Sequence, residues 1–309
     1  MKRLISTVGL SREEWLGWRR MGIGGSDVSV IAGVNPYRSI YELWEDKMGL
    51  RNPEEIENEY IHFGNVLEPV VKAEFTRRTG LKIRNKRVIL QSDQYPFMLA
   101  DLDGTINENG EMVIFEAKTA TEYKKDVWQK GVPEEYMYQI QHYMAVTEAK
   151  KTYIAALVGG NSFIYHEVYR DEKMIQEIIK MEERFWKENV LKGIEPEADG
   201  SKATTDFLNQ KYKKSSGKEI ELPKETMELI ASYDAFSEQI KRLQKQKDKV
   251  ANQIRSYMKD CEKGIIGDRR ITWSPVETIS IDKKRLQAEQ KDIYEKYTTR
   301  SSNRRLNVA

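Results

Sequence analysis

The chain has a single cysteine, Cys261, among 309 residues. That excludes a disulfide framework or a cysteine zinc site within one chain, and it fits a reducing compartment. No run of about 18 apolar residues occurs, and the opening "MKRLISTVGLSREEW" lacks the apolar stretch of a secretion signal. The expectation is a soluble cytoplasmic protein with no membrane partner. A dominant charge is missing too: 51 Lys and Arg against 49 Asp and Glu leave a net +2. An anionic polymer would have to be met by local basic clusters rather than by the global field. The three histidines, His62, His142 and His166, are scattered without metal-ligand spacing, and no internal repeat or low-complexity segment is found.

What is present is 39% hydrophobic and 32% charged residue, enough for a core with long, solvated helices. "SREEW" carries Ser11 and Glu14 at capping-box spacing. Gly22, Gly24 and Gly25 then interrupt, and Ser26 or Asp27 is placed to cap a short helix ending near Ala32. Another helix, "IYELWEDKMG", follows the turn "NPYRS", and a longer one is expected from Glu59 to Thr79, stopped by Gly80. Strand signals follow in "KIRNKRVIL", "FMLADLDGTI" and "EMVIFEAKT", the last two joined through the hairpin signal "NENG". A helix with Pro133 at its start, two strands across "GGN", and a helix from Asp171 to Leu191 complete an α/β pattern around one mixed sheet.

Composition suggests a boundary near Gly200, dividing the chain into residues 1–200 and a C-terminal extension, 201–309. In the extension, Leu229, Tyr233, Phe236, Ile240, Leu243, Val250, Ile254 and Tyr257 alternate at four and three residues, with Lys247 the one break. This is a heptad seam on a long helix, for pairing within the chain or with a second chain. One or two strands, a helix and the polar, basic tail "SSNRRLNVA" close the chain.

The chemistry concentrates in "ADLDGTINENGEMVIFEAKTA", Ala100 to Ala120. On a strand, Glu116 and Lys118 point the same way. Asp103, at the end of the preceding strand and at a "DG" turn, lies beside Glu116 in the hairpin. Two carboxylates and the Ala117 carbonyl make a hard oxygen site suited to Mg²⁺. Lys118 beside it would orient or deprotonate an attacking water, as phosphodiester hydrolysis requires. The plainer reading is a surface hairpin with a salt bridge.

With these residues the segment resembles the PD-(D/E)XK nuclease core, Leu102 standing where that name has its proline. Three further blocks, in order between Trp15 and Thr147, resemble the YqaJ-like viral recombinases, relatives of phage lambda exonuclease: "WLGWRRMGIGGSDVSVIAGVNPYRSIYELWEDKMG", "HFGNVLEPVVKAEFTRRTG" and "YMYQIQHYMAVT". The resemblance implies a mixed central sheet flanked by helices, with the long-helix region appended. It implies Asp103 and Glu116 as metal ligands and Lys118 as the catalytic lysine. Glu68 would complete a second-metal site or hold a metal-bound water. Gln139 would position the water or the lysine, and Gln141 would be structural. Arg19 and Ser26 would contact the phosphate at a DNA end, with Gly24 and Gly25 allowing close backbone approach.

The implied function is a metal-dependent 5′-3′ exonuclease on linear duplex DNA, using two Mg²⁺ ions held by Glu68, Asp103, Glu116 and Ala117, with Mn²⁺ as the alternative ion. It would act in phage or prophage recombination with a RecT-like single-strand annealing protein, as a homo-oligomer. The alternatives are an endonuclease with the same site and a non-catalytic DNA-end-binding module. The basic clusters "KIRNKR" and "KTATEYKK" are the expected backbone contacts.

Overall fold

The chain opens with strand β1 (Lys2–Ser6) and helix α1 (Arg12–Arg20), whose first turn closes on a reciprocal Ser11–Glu14 capping box. The computed structural model describes residues 1–51, 59–299 and 304–308; Ser301 to Asn303 and Ala309 of the basic tail lie outside the described residues. Next come β2 (Ile23–Gly24) and α2 (Gly25–Ile31). The helix cap lies earlier than Ser26 or Asp27. Gly24 is the cap residue, and Asp27 reaches back to accept its N–H at 3.0 Å. Helix α3 (Ile40–Lys47) repeats the capping box with Ser39 and Glu42, and α4 (Glu59–Thr79) ends at Gly80, whose φ of +75° suits glycine.

Strands β3 (Ile83–Arg84), β4 (Val88–Gln91), β5 (Met98–Asp101), β6 (Gly104–Glu108) and β7 (Glu111–Ala120) follow, then α5 (Lys125–Lys130) and α6 (Glu134–Thr147). The hairpin of β6 and β7 turns on Asn109 and Gly110, at φ +53° and +87°, the paired positive values of a type I′ turn. Strands β8 (Lys151–Val158) and β9 (Ser162–Tyr169) form a second hairpin over Gly159 and Gly160. Helix α7 (Glu172–Arg184) runs into a π-helical turn, Phe185–Val190, and α8 (Lys202–Lys211) follows. The remainder is α9 (Thr226–Met258), the hairpin of β10 (Lys263–Ile266) and β11 (Arg269–Thr272), and the short helices α10 (Lys283–Glu289) and α11 (Lys291–Tyr297).

The chain divides into two compact units, Met1–Lys211 and Tyr212–Ala309. The first is a mixed α/β fold with helices against its sheets, as expected, but its strands form two sheets rather than one. One has the order β1-β4-β5-β2 and the other β3-β6-β7-β8-β9. "FMLADLDGTI" is therefore two strands, separated at Leu102 and Asp103. Gly104 is not in a turn. It begins β6, where a Cβ would come within 2.4 Å of the Ile83 side chain, so only glycine lets β3 lie so close.

Strand β7 is covered on both faces. Val113 and Phe115 pack under α4 with Val71, Phe75 and Tyr153. Ile114 faces the larger core, with Trp128, Ile140 and Met144. Strand alternation then puts Glu116 and Lys118 on the face of Ile114, toward α6. That is why a charged pair ends up inside the fold rather than on a half-exposed sheet.

Candidate active site

The hydrophobic alternation of β7 buries Glu116 to 2% exposure, and its carboxylate is gripped from two sides. Oε1 accepts from Lys118 Nζ at 2.6 Å and from Gln139 Nε2 at 2.7 Å. Oε2 is buried without a hydrogen-bond partner among the described residues. Asp103 lies alongside, its Oδ2 accepting the Ala117 N–H at 2.8 Å. Burial, followed by the neighbouring Asp103, pushes the Glu116 carboxyl up to about 8. Burial also raises Asp103. Lys118 is opposed by its own burial, but Glu116 and Asp103 outweigh that and hold it above the ordinary lysine range. Its ammonium also sits 4.9 Å from the centre of the Tyr136 ring.

Glu68, from α4, faces the same cleft and ion-pairs with Lys72 one turn on. Lys72 also donates to the Asp103 carbonyl at 2.6 Å, so it ties α4 to the strand break where Asp103 sits. No group of three His, Cys, Asp or Glu converges as a ready-made metal cage among the described residues. The donor set still fits a hard divalent ion. It offers two adjacent carboxylates, one with an orphaned buried oxygen, both destabilised in their charged form.

Gln139 and Gln141 diverge, as helical residues two apart must. Gln139 points to Glu116 and to the Tyr143 hydroxyl, 3.1 Å away. Gln141 bridges the Tyr169 carbonyl and the Asp171 N–H, fixing the passage from β9 into α7.

Arg19 and Ser26 also come together: Arg19 Nη2 donates to Ser26 Oγ at 2.8 Å, and its guanidinium lies 4.7 Å over the Trp15 ring. What holds them was not legible in the sequence. Asp27 is buried and meets Lys47 Nζ at 2.7 Å, and Lys47 also donates to the Arg19 carbonyl at 3.0 Å. Burial alone would raise Asp27, but Lys47, Arg19 and Arg38 together hold its carboxyl well below the usual range. Lys47 ends an ordinary amphipathic helix, and nothing in its local pattern signals a buried cation.

Gly25 serves packing. A Cβ there would lie 2.5 Å from Tyr143 Cε1 and 3.0 Å from Gln139 Cγ. Gly25→Ala should therefore displace both, lowering stability by about 1–3 kcal/mol and any activity with it. Thermal unfolding and turnover of the variant check this, and a native-like Tm with native turnover would contradict it.

Arg19, Ser26, Glu68, Asp103, Glu116, Lys118 and Gln139 line one open cleft of about 1490 Å³, larger than the usual small-molecule pocket of roughly 300–1,000 Å³. Lys86, Arg87 and Lys124, from the two basic segments noted above, line it as well. Asp101 is a further acid in the cleft that sequence reading passed over. It accepts from Trp15 Nε1 at 2.8 Å, and burial raises its carboxyl.

Residues 14–150 match the family model described as the YqaJ-like viral recombinase domain. The chain is also 41% identical over 303 residues to the uncharacterized protein YqaJ of Bacillus subtilis (strain 168), covering 97% of this chain and 94% of that one. It belongs to the YqaJ-like viral recombinase family. Asp103, Glu116, Lys118 and Gln139 of this family member fall inside the matched span. The C-terminal unit lies outside that span, although the likeness to YqaJ continues through most of it. Among solved structures, LHK-Exo in complex with dAMP is similar over 59% of this chain and 94% of its own, at 21% identity and a TM-score of 0.49. LHK-Exo of Laribacter hongkongensis, an alkaline exonuclease, is similar over 59% and 94%, at 20% identity and a TM-score of 0.48. A likeness of that order assigns no residue.

No helix of the described residues is long and apolar enough to cross a membrane.

Proposed function

We propose that this YqaJ family member is a metal-dependent DNA nuclease, a 5′-3′ exonuclease on linear duplex DNA, working in phage or prophage recombination beside a single-strand annealing protein. In this reading the nuclease activity resides in the first unit and the C-terminal unit is an extension. The observation that carries the reading is the Glu116 carboxylate, buried against Asp103 with one oxygen orphaned, and bonded on the other by Lys118 and Gln139. A fold keeps such destabilised carboxylates together for chemistry rather than for stability.

Asp103, Glu116 and the Ala117 carbonyl would hold a divalent ion, Mg²⁺ in the first instance. Glu68 would join them once Lys72 releases it, for a second ion. When bound, the ion would neutralise the scissile phosphate and polarise the attacking water. Lys118, held protonated by its two acidic neighbours, is a donor rather than a base. It would orient the water and place positive charge beside the developing phosphorane. Gln139 fixes the Glu116 carboxylate from α6. Arg19 and Ser26 would take the phosphate at the DNA end, and Lys86, Arg87 and Lys124 would follow the backbone without reading sequence.

The test is digestion of linear duplex DNA labelled at the 5′ or the 3′ end, with Mg²⁺ or EDTA, beside a covalently closed circle. Mg²⁺-dependent early release of the 5′ label, with the circle intact, is expected. A cut circle would replace the reading with an endonuclease, and binding without cleavage would replace it with an end-binding module.

A pH dependence follows from the same carboxylate. With Glu116 pushed up to about 8, an ion must displace its proton. Below that pH, apparent Mg²⁺ affinity should rise by up to about tenfold per pH unit, and it should level off above it. Calorimetry in buffers of different ionisation enthalpy should show about one proton released per ion near neutral pH. An affinity that is flat between pH 6 and 8 would remove Glu116 as a ligand.

A further inference from the structure

Helix α9 spans Thr226–Met258, and its heptad seam is bare: the apolar seam residues are between 38% (Ile254) and 87% (Tyr257) exposed. The positions flanking the seam are also unusual. Ser232, Ser237, Gln239, Gln244, Gln246, Ala251 and Gln253 are all uncharged, and the charged residues, apart from Lys247, lie on the outer face. A helix that stays single in water has no reason to keep a broad neutral band around an apolar stripe.

We infer that α9 pairs with α9 of a second copy, antiparallel, so that the protein is a homodimer through its C-terminal unit. Three features of the helix choose that occupant and that direction.

The first is the seam lysine. In a parallel, in-register pair, Lys247 would face Lys247, two ammonium groups in one layer of an apolar interface. In an antiparallel pair with Ile240 set against Leu243, Lys247 meets Phe236 instead. Its stem can lie along the ring while its charge reaches solvent. By the same register Leu229 meets Ile254 and Tyr233 meets Val250.

The second is side-chain size. The seam carries the rings Tyr233, Phe236 and Tyr257. Antiparallel pairing in this register sets Tyr233 against the smaller Val250, Phe236 against the Lys247 stem and Tyr257 against Thr226. Parallel pairing stacks each ring on its own copy.

The third is charge. Residues 226–239 hold Glu228, Asp234 and Glu238 and no basic group, whereas residues 240–258 hold six Lys or Arg and one acid, Asp248. Antiparallel chains lay the acidic half of one helix along the basic half of the other, and parallel chains lay like on like. Apart from Lys247, these charges sit on the outer face, so they bias direction at low salt and are screened at high salt.

The test uses the full-length protein. Sedimentation should give twice the mass of the chain. Ile240→Asp and, independently, Leu243→Lys should each yield a monomer with unchanged thermal unfolding of the first unit, since both positions are exposed in the single chain. Direction is read by spin labels in a Cys261→Ser background, at Glu228→Cys in one protein and Lys241→Cys in another. In the antiparallel register the 241 labels are close together. The 228 labels are offset by about 40 Å along the axis, from the 1.5 Å rise per residue. A dimer with a short distance at 241 and a long one at 228 is the expected result. Short distances at both positions would mean a parallel pair and would overturn the inference. So would a monomer at physiological salt, or an oligomer indifferent to both seam substitutions. The last two results would leave the seam to a different protein.

Discussion

Lys118→Ala should lower hydrolysis of linear duplex DNA by about 10³-fold while DNA binding changes by a few-fold at most. The ammonium is fixed by a 2.6 Å bond to Glu116 and by its place over Tyr136. It is therefore pre-set where charge would develop in the reaction, whereas binding is shared among several other cationic groups lining the cleft. The substitution also takes away the one cation bonded to the buried Glu116 carboxylate among the described residues, so that carboxyl should move further up and Mg²⁺ should bind more weakly at neutral pH. Single-turnover rates at saturating Mg²⁺ separate the two effects. A loss that saturating Mg²⁺ at high pH fully restores would make Lys118 a positioning residue for Glu116 alone. Loss of DNA binding in step with the rate would make it a backbone contact.

Glu182→Ala should cost about 3–5 kcal/mol of folding stability, the range for breaking a buried polar pair. His142 and Glu182 are both fully buried. His142 Nε2 donates to the Leu99 carbonyl at 2.8 Å, and a proton is shared between Nδ1 and Glu182 Oε1, 2.7 Å apart. The pair pins α6 to both α7 and β5. Removing Glu182 leaves a ring nitrogen without a partner and a hole beside it. Because Gln139 lies on the same helix, its hold on Glu116 should loosen too. Urea unfolding checks the first effect. The double replacement His142→Leu with Glu182→Leu should be less destabilised than Glu182→Ala, since no polar group is then stranded. Equal losses would mean that packing, not the polar pair, carries the energy.

This pair shows where sequence reading stops. The three histidines lack metal-ligand spacing in the sequence, and His142 is structural. Yet its partner lies 40 residues away and its carbonyl acceptor 43. No local pattern announces such a bond, because the energy lies in a tertiary contact. Lys47 and Lys72 are alike in this. Each donates to the backbone carbonyl of a candidate site residue, Arg19 or Asp103, and each reads in sequence as an ordinary helical lysine.

Elements were legible where local physics decides them. The capping box at Ser11, the hairpin turn at Asn109–Gly110, the stop at Gly80 and the heptad period of α9 are all set by interactions spanning four residues or a fixed repeat. The two-residue period of β7 by itself puts Glu116 and Lys118 on one face. The division of the strands into two sheets was not legible, because the break at Leu102–Asp103 depends on which strands lie beside β5 and β6. The cap of α2 lies at Gly24 because Asp27 Oδ2 accepts backward from the Gly24 N–H and is held by Lys47, a contact that only the tertiary fold supplies.

By itself, then, the sequence determined the order of elements, the family, and the residue types gathered for chemistry, because periodicity and capping are local and motifs persist in order. Tertiary structure alone decided that Glu116 is buried with one oxygen unmet, that α6 delivers Gln139 rather than Gln141, and that Lys72 and Lys47 stand guard beside the acids. Burial and the electrostatic field are sums over groups distant in sequence, and only the folded chain brings those groups within range of one another.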